Sequence, residues 1–313
     1  MSDINKEITA RIEKMSRDRS AISSHYDLPP EFFMNFLGPR MAYSCAYFTD
    51  ENNDIICAEN DKLRLKVNKL RLEDGDRVLD LGCGWGSFLF FAAEKYDCEA
   101  TGITLSNEQA MFVNEKAKLL GIEDKVRADI MHVYEMDYEA ESFDKILTVG
   151  AIEHIEDLNL TFSNANHLLK DDGLFLVHGM TRPWATRSLE LDGVRTEVDD
   201  LIEMHFGVGH WKSLWEVIQA LELSNFEILD HENITHHYQL TVRRWLEKLQ
   251  ANEDIISDKI VSDEKYREFI AYMASYIVSF EMSNTICNQV LCQKHEADTL
   301  RRQGPLTREH MIL

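Results

Sequence analysis

Proline is scarce, five in 313 residues, and the six cysteines never form a C-x-x-C pair. Cys45, Cys57, Cys83, Cys98, Cys287 and Cys292 are scattered, which argues against a structural zinc framework and against a small disulfide-stapled fold. No metal is expected. The chain has no uncharged apolar run near the ~18 residues of a membrane span. Met1–Glu7 lacks the basic and apolar regions of a secretory signal. Positive charge is also short: 33 Lys and Arg stand against 55 Asp and Glu, a formal net charge of -22. Such a surface repels nucleic-acid phosphate and anionic headgroups, so neither is expected as a partner. The expectation is a cytoplasmic protein with reduced thiols and no transmembrane segment.

What is present is an alternation of strand and helix patterns. Residues 4–20 read as a polar helix, and Pro29-Pro30 can open a short helix near Phe32-Phe33. Residues 55–71 carry Ile56, Leu63, Val67 and Leu70 at helical spacing. After the apolar run ending at Leu81, helices are expected over 87–96, 107–121 and 158–169. Strands are expected over 98–104, 126–130, 143–150 and 173–178. This order predicts an α/β fold with parallel strands and ligands outside their carboxyl ends. Residues 181–210 read as irregular. A helix (211–223), a strand (226–234), two amphipathic helices (238–249, 266–280) and a last strand (285–293) follow. The organisation expected is a helical segment closing the site (1–54), a cofactor-binding core (55–180), cover helices with the last strands (181–293) and a polar tail (294–313).

The first strand runs through Asp80 into Gly82, Gly84 and Gly86, with Cys83 and Trp85 between them. A glycine turn opening a helix presents free N–H groups and a positive dipole end to a ligand. Dinucleotide folds use G-x-G-x-x-G and an acid ending the second strand. Here the spacing is G-x-G-x-G, and Thr104 stands where that acid would be. A carboxylate at Asp80 repels a pyrophosphate and attracts an amino group, which favours a zwitterion such as S-adenosylmethionine.

The chain resembles the cyclopropane-fatty-acyl-phospholipid synthase and mycolic acid methyltransferase family. The resemblance rests on His25-Tyr26-Asp27, Tyr43-Ser44-Cys45-Ala46-Tyr47-Phe48, Leu79–Ser87, Gly102–Ser106 with Gln109, Gly150–His154, His178 and His237-Tyr238. It implies a Rossmann-like class I methyltransferase sheet, mostly parallel with an antiparallel last strand, helices on both faces and a helical cover. It also implies that S-adenosylmethionine is bound by Tyr43, Ser44, Asp80, Gly82, Gly84, Gly86, Thr104, Leu105, Gln109, Asp129 and Ile130.

In that family an electron-rich carbon, commonly an alkene, attacks the sulfonium methyl, and bicarbonate removes a proton to close a cyclopropane. Variants give methyl branches. By the same resemblance the bicarbonate cradle is Glu153, His178, Tyr238 and the backbones of Cys45 and Met180. Tyr26, Tyr43, Tyr47 and Tyr238 offer aromatic faces to a passing cation. The partner expected is an apolar small-molecule, acyl-chain or carrier-bound substrate, since the charge of -22 suits an anionic bilayer poorly. A homodimer stays open. So does a small-molecule N- or C-methyltransferase; plant N-methyltransferases share Glu153-His154 but use an acid where this chain has Gly150.

Overall fold

The computed structural model describes residues 28–194, 209–295 and 304–313. The helix expected over 4–20, the His25-Tyr26-Asp27 motif and residues 195–208 of the 181–210 stretch lie outside the described residues. So do residues 296–303 of the tail.

The order is α1 (Pro30–Met34), α2 (Ile55–Leu70), β1 (Arg77–Leu81), α3 (Ser87–Lys95), β2 (Glu99–Thr104), α4 (Asn107–Leu120), β3 (Val126–Ile130) and β4 (Phe143–Val149). After a 3-10 turn (Ile152–His154) come α5 (Leu158–Leu168), β5 (Leu169–Thr181), α6 (Trp184–Leu191), α7 (Leu214–Leu223), β6 (Phe226–Asn233), α8 (Thr235–Ala251), α9 (Glu253–Ile256), α10 (Asp263–Glu281) and β7 (Ile286–Lys294). The strands form one seven-stranded sheet in the order β3-β2-β1-β4-β5-β7-β6. β1 to β5 pair in parallel, and β7 lies antiparallel between β5 and β6.

Both faces of the sheet are covered, so its strands are apolar runs rather than alternations. Leu63, Val67 and Leu70 of α2 and Phe88 and Phe91 of α3 pack against Val78, Leu147 and Leu176 on one face. Phe162 of α5 and Leu221 of α7 pack against Leu79, Ile146 and Phe175 on the other. A third cluster, rich in aromatics, joins α1, α8 and α10 through Phe32, Phe36, Trp245, Phe269 and Tyr276. It roofs the carboxyl ends of the strands. The segment between β3 and β4 carries Tyr134, whose hydroxyl receives the Asp157 N–H that opens α5.

Helix starts follow the sequence closely. Ser106 caps α4 by accepting from Gln109 N, and Gly121 ends it at φ 67. Two stretches differ from expectation. Residues 184–191 form a helix with no buried residue, tied down by ion pairs such as Arg187 to Glu216 at 3.2 Å; in a stretch rich in arginines and acids it read as irregular. β5 extends beyond 173–178 at both ends: β7 pairs with it through Thr181, and Leu169 pairs with Phe143 of β4.

Candidate functional site

β1 ends in the glycine turn, and the turn floors a cleft whose void, open solvent included, is about 1020 Å³. Gly82 sits at φ 91, and a Cβ there would lie 2.7 Å from the Ala151 Cβ. Neither the backbone angle nor the space tolerates a side chain. Gly82→Ala should therefore lower stability by about 1–2 kcal/mol and weaken ligand binding in the cleft, measured by thermal melts and calorimetry. Unchanged melting and binding would show that the turn is not under this constraint.

Asp80, at the strand end, is 3% exposed, and its Oδ1 has no hydrogen-bond partner. Burial raises its pKa to about 7, against the opposing pull of Lys66 and Lys62. Across the cleft Thr104 Oγ1 donates to Gln109 Oε1 at 2.7 Å and accepts from Ser106 N, so the end of β2 and the first turn of α4 hold each other. Leu105, Tyr43 and Ser44 complete that wall. Asp129 and Ile130 are placed differently. Asp129 Oδ2 accepts the Tyr138 hydroxyl at 2.7 Å, Ile130 is largely exposed, and the next residues, Met131, His132 and Val133, line the cleft instead. Gly86 is not on the wall either; it caps α3 at φ 77.

A smaller chamber, whose void is about 400 Å³ with open solvent included, lies under α8 and α10. Tyr238, Val242, Trp245, Tyr272 and Tyr276 line it, and it shares Tyr43 and Gly150 with the cleft. The two spaces therefore meet at Tyr43 and Gly150. Behind the chamber's Met180 sits Glu153, 1% exposed, whose Oε1 accepts from Met180 N at 2.5 Å while Oε2 has no partner. Burial raises the Glu153 pKa to about 7. The Met180 N–H, expected to face a ligand, holds Glu153 instead.

His178 lies on β5, flanked by Val149 of β4 and Gln289 of β7. Lys69 Nζ donates to Gln289 Oε1 at 2.7 Å, so the amide nitrogen of Gln289 faces His178 Nδ1 at 3.1 Å and donates to it. An ammonium has no lone pair, which fixes the amide's orientation. Nδ1 is then an acceptor and Nε2 carries the hydrogen, pointing towards Cys287 Sγ at 3.6 Å. Burial, then the charges of Lys66, Lys62 and Lys69, push the His178 pKa well below its usual range. The imidazole is neutral, with one defined tautomer.

Cys45 is fully buried, and its sulfur, that of Cys287 and a ring nitrogen of His178 lie within 4.8 Å of one another. Burial holds the Cys287 thiol protonated, well above the ordinary cysteine pKa. The Tyr238 hydroxyl is likewise pushed up, first by desolvation.

Sequence reasoning missed the three lysines behind this site. Lys62, Lys66 and Lys69 share one face of α2 and are each 1% exposed. Lys62 Nζ donates to Ser44 O at 3.1 Å and Oγ at 2.9 Å, and Lys69 also meets Glu232 Oε2 at 2.5 Å. Their spacing of i, i+4 and i+7 was the available signal. Gln289 gave none.

The mycolic acid cyclopropane synthetase family model matches residues 13–290. The chain is 33% identical over 296 residues to a probable fatty acid methyltransferase of Pseudomonas putida, covering 94% of this chain and 74% of that protein. It is 31% identical over 282 residues to cyclopropane mycolic acid synthase 1 of Mycobacterium tuberculosis (strain CDC 1551 / Oshkosh), covering 87% and 96%. The solved structure of mycolic acid cyclopropane synthase CmaA1 complexed with SAH and CTAB superposes with a TM-score of 0.79 at 30% identity, covering 88% of this chain and 98% of that one. The chain belongs to the mycolic acid cyclopropane synthetase family of S-adenosylmethionine-dependent methyltransferases.

Proposed function

We propose that the protein transfers the methyl group of S-adenosylmethionine to an unsaturated carbon of an apolar, lipid-like or carrier-bound chain. The group arrives as a methyl or, with loss of a proton to bound bicarbonate, as the methylene of a cyclopropane. The observation that carries this reading is the meeting of the polar cleft and the aromatic chamber at Tyr43 and Gly150. A zwitterion suits the cleft, where Asp80 Oδ1 is buried and unpartnered, and the aromatic and aliphatic lining beneath α8 and α10 suits an apolar chain.

Bound S-adenosylmethionine would supply an electrophilic methyl on its sulfonium, with the S–C bonding pair remaining on sulfur as a neutral thioether. The protein's part is placement and charge. Asp80 and the Gly82–Gly86 turn hold the amino-acid end, Thr104 and Gln109 fix the opposite wall, and Tyr43 stands at the junction. The faces of Tyr43 and Tyr238 stabilise positive charge developing on the substrate. The chamber's apolar wall excludes water that would otherwise capture it.

The cradle also fits a bicarbonate ion. Glu153 Oε2 is an orphan, and the Tyr238 hydroxyl and Cys45 N–H find no partner among the described residues. His178 offers Nε2–H, and the lysine charges that keep it neutral also favour an anion here. A base of this kind takes the proton released as the ring closes. The free thiols suit a reducing compartment such as the cytoplasm. α8 and α10 serve as the substrate cover.

The deciding experiment uses S-adenosylmethionine bearing a fully deuterated methyl, offered with alkenyl lipids and separately with amines. A cyclopropane keeps two of the three deuterons and a simple methyl keeps all three, so mass spectrometry reads the chemistry directly. Label on carbon supports the proposal. Label appearing only on nitrogen would replace it with an N-methyltransferase, a reading that Gly150, carrying no acid at the junction, argues against.

A further inference from the structure

Among the three buried lysines of α2, Lys66 differs from its neighbours. Lys62 is bonded to Ser44 and Lys69 to Glu232 and Gln289, whereas Lys66 has no hydrogen-bond or ion-pair partner among the described residues. It is 1% exposed, yet it lines the main cleft together with Ser44, Asp80 and Gly82. Asp80, on the same wall, has its own unpartnered oxygen. Two opposite charges thus face one space without closing on each other. An ammonium held out of water without a bonded anion is costly, and the simplest relief is an anion that arrives with the ligand.

We propose that Lys66 binds the carboxylate of the cofactor's amino-acid end, so that Lys66 and Asp80 form a two-point clamp for an α-amino acid zwitterion. The inference rests on S-adenosylmethionine occupying the cleft. Burial, then the neighbouring Lys62 charge, lower the Lys66 pKa well below the usual lysine range, and Asp80 draws it back up. An incoming carboxylate adds to that pull and keeps the ammonium charged in the complex. The other anion within reach is the base of the cradle. Lys66 lines the cleft and not the chamber where Met180 and Tyr238 stand, which favours the cofactor.

The test compares binding of S-adenosylmethionine and its decarboxylated form by calorimetry, in the wild type and in Lys66→Met. The wild type should prefer the carboxylate-bearing ligand by about tenfold or more, the worth of one charge-assisted hydrogen bond. In Lys66→Met the preference should collapse towards unity, with the decarboxylated ligand bound as before. A preference that survives unchanged in the variant would overturn the assignment. So would an unchanged preference together with a raised bicarbonate requirement for turnover, which would move Lys66 to the base. If the variant fails to fold, the wild type alone decides, since equal affinity for the two ligands would overturn the clamp. Failure of the wild type to bind S-adenosylmethionine at all would remove the proposed function together with the clamp. A bound cofactor with no carboxylate preference removes only the clamp.

Discussion

Glu153→Gln should lose turnover by about 10²–10⁴-fold, the usual worth of a positioned acid–base group, while binding S-adenosylmethionine as the wild type does. Glutamine keeps an oxygen for the Met180 N–H but replaces the orphaned Oε2 acceptor with an N–H donor, so the O–H of a bicarbonate beside it loses its acceptor. The same substitution should stabilise the protein at alkaline pH. Burial raises the Glu153 pKa from 4.5 to about 7, so between those values the native state binds the proton more tightly than the unfolded chain. Its contribution is fully present below pH 4.5 and is lost as pH rises through about 7. At about 1.4 kcal/mol per unit, ionised Glu153 costs at most about 3.5 kcal/mol above that range. Thermal melts at pH 5 and pH 8 check the sign: the variant's advantage over the wild type should grow with pH. Full turnover would show that Glu153 is not the base's partner, and no gain at pH 8 that it is not a strained carboxylate.

Asp80→Asn should weaken S-adenosylmethionine binding by about 30-fold or more, as for truncation of one partner of a buried charge pair. The carboxylate is the group on the cleft wall able to neutralise the ligand's ammonium, and at 3% exposure salt screens it little. Its pKa, raised to about 7 by burial, makes ionised Asp80 a destabilising group at pH 8. The ligand-free variant should therefore melt no lower than the wild type there, which separates lost binding from lost folding. Calorimetry that finds equal affinity in the two proteins would remove Asp80 from the cofactor site.

Most of the sheet was legible because its strands are buried on both faces and interrupted by well-marked helix caps. Ser106, Gly121 and the run ending at Leu81 each signalled an element that exists. Helix Trp184–Leu191 was not legible, because ion pairs hold it and no residue of it is buried. The same rule explains the site. Gly82, Asp80, Thr104 and Gln109 stand at strand ends in a motif, and they line one cleft. Met131, His132 and Val133 reach that cleft only through the path of the chain after β3, which spacing does not reveal. The lysines of α2 sat in a charged stretch that reads as a solvated face. Only the tertiary structure shows that the face is turned inward. Gln289 became relevant by lying opposite His178 in an antiparallel register, a relation between strands more than a hundred residues apart.

That inward face of α2 also constrains how the chain assembles. Lys69 meets its partners, Glu232 and Gln289, on β6 and β7, at the far end of the chain. Without β6 and β7 in place, a seated α2 would carry Lys69 as a second buried ammonium without a partner beside Lys66, a cost that the last two strands remove. Docking of α2 is therefore stabilised by completion of the sheet, which ties a helix from early in the chain to its latest strands.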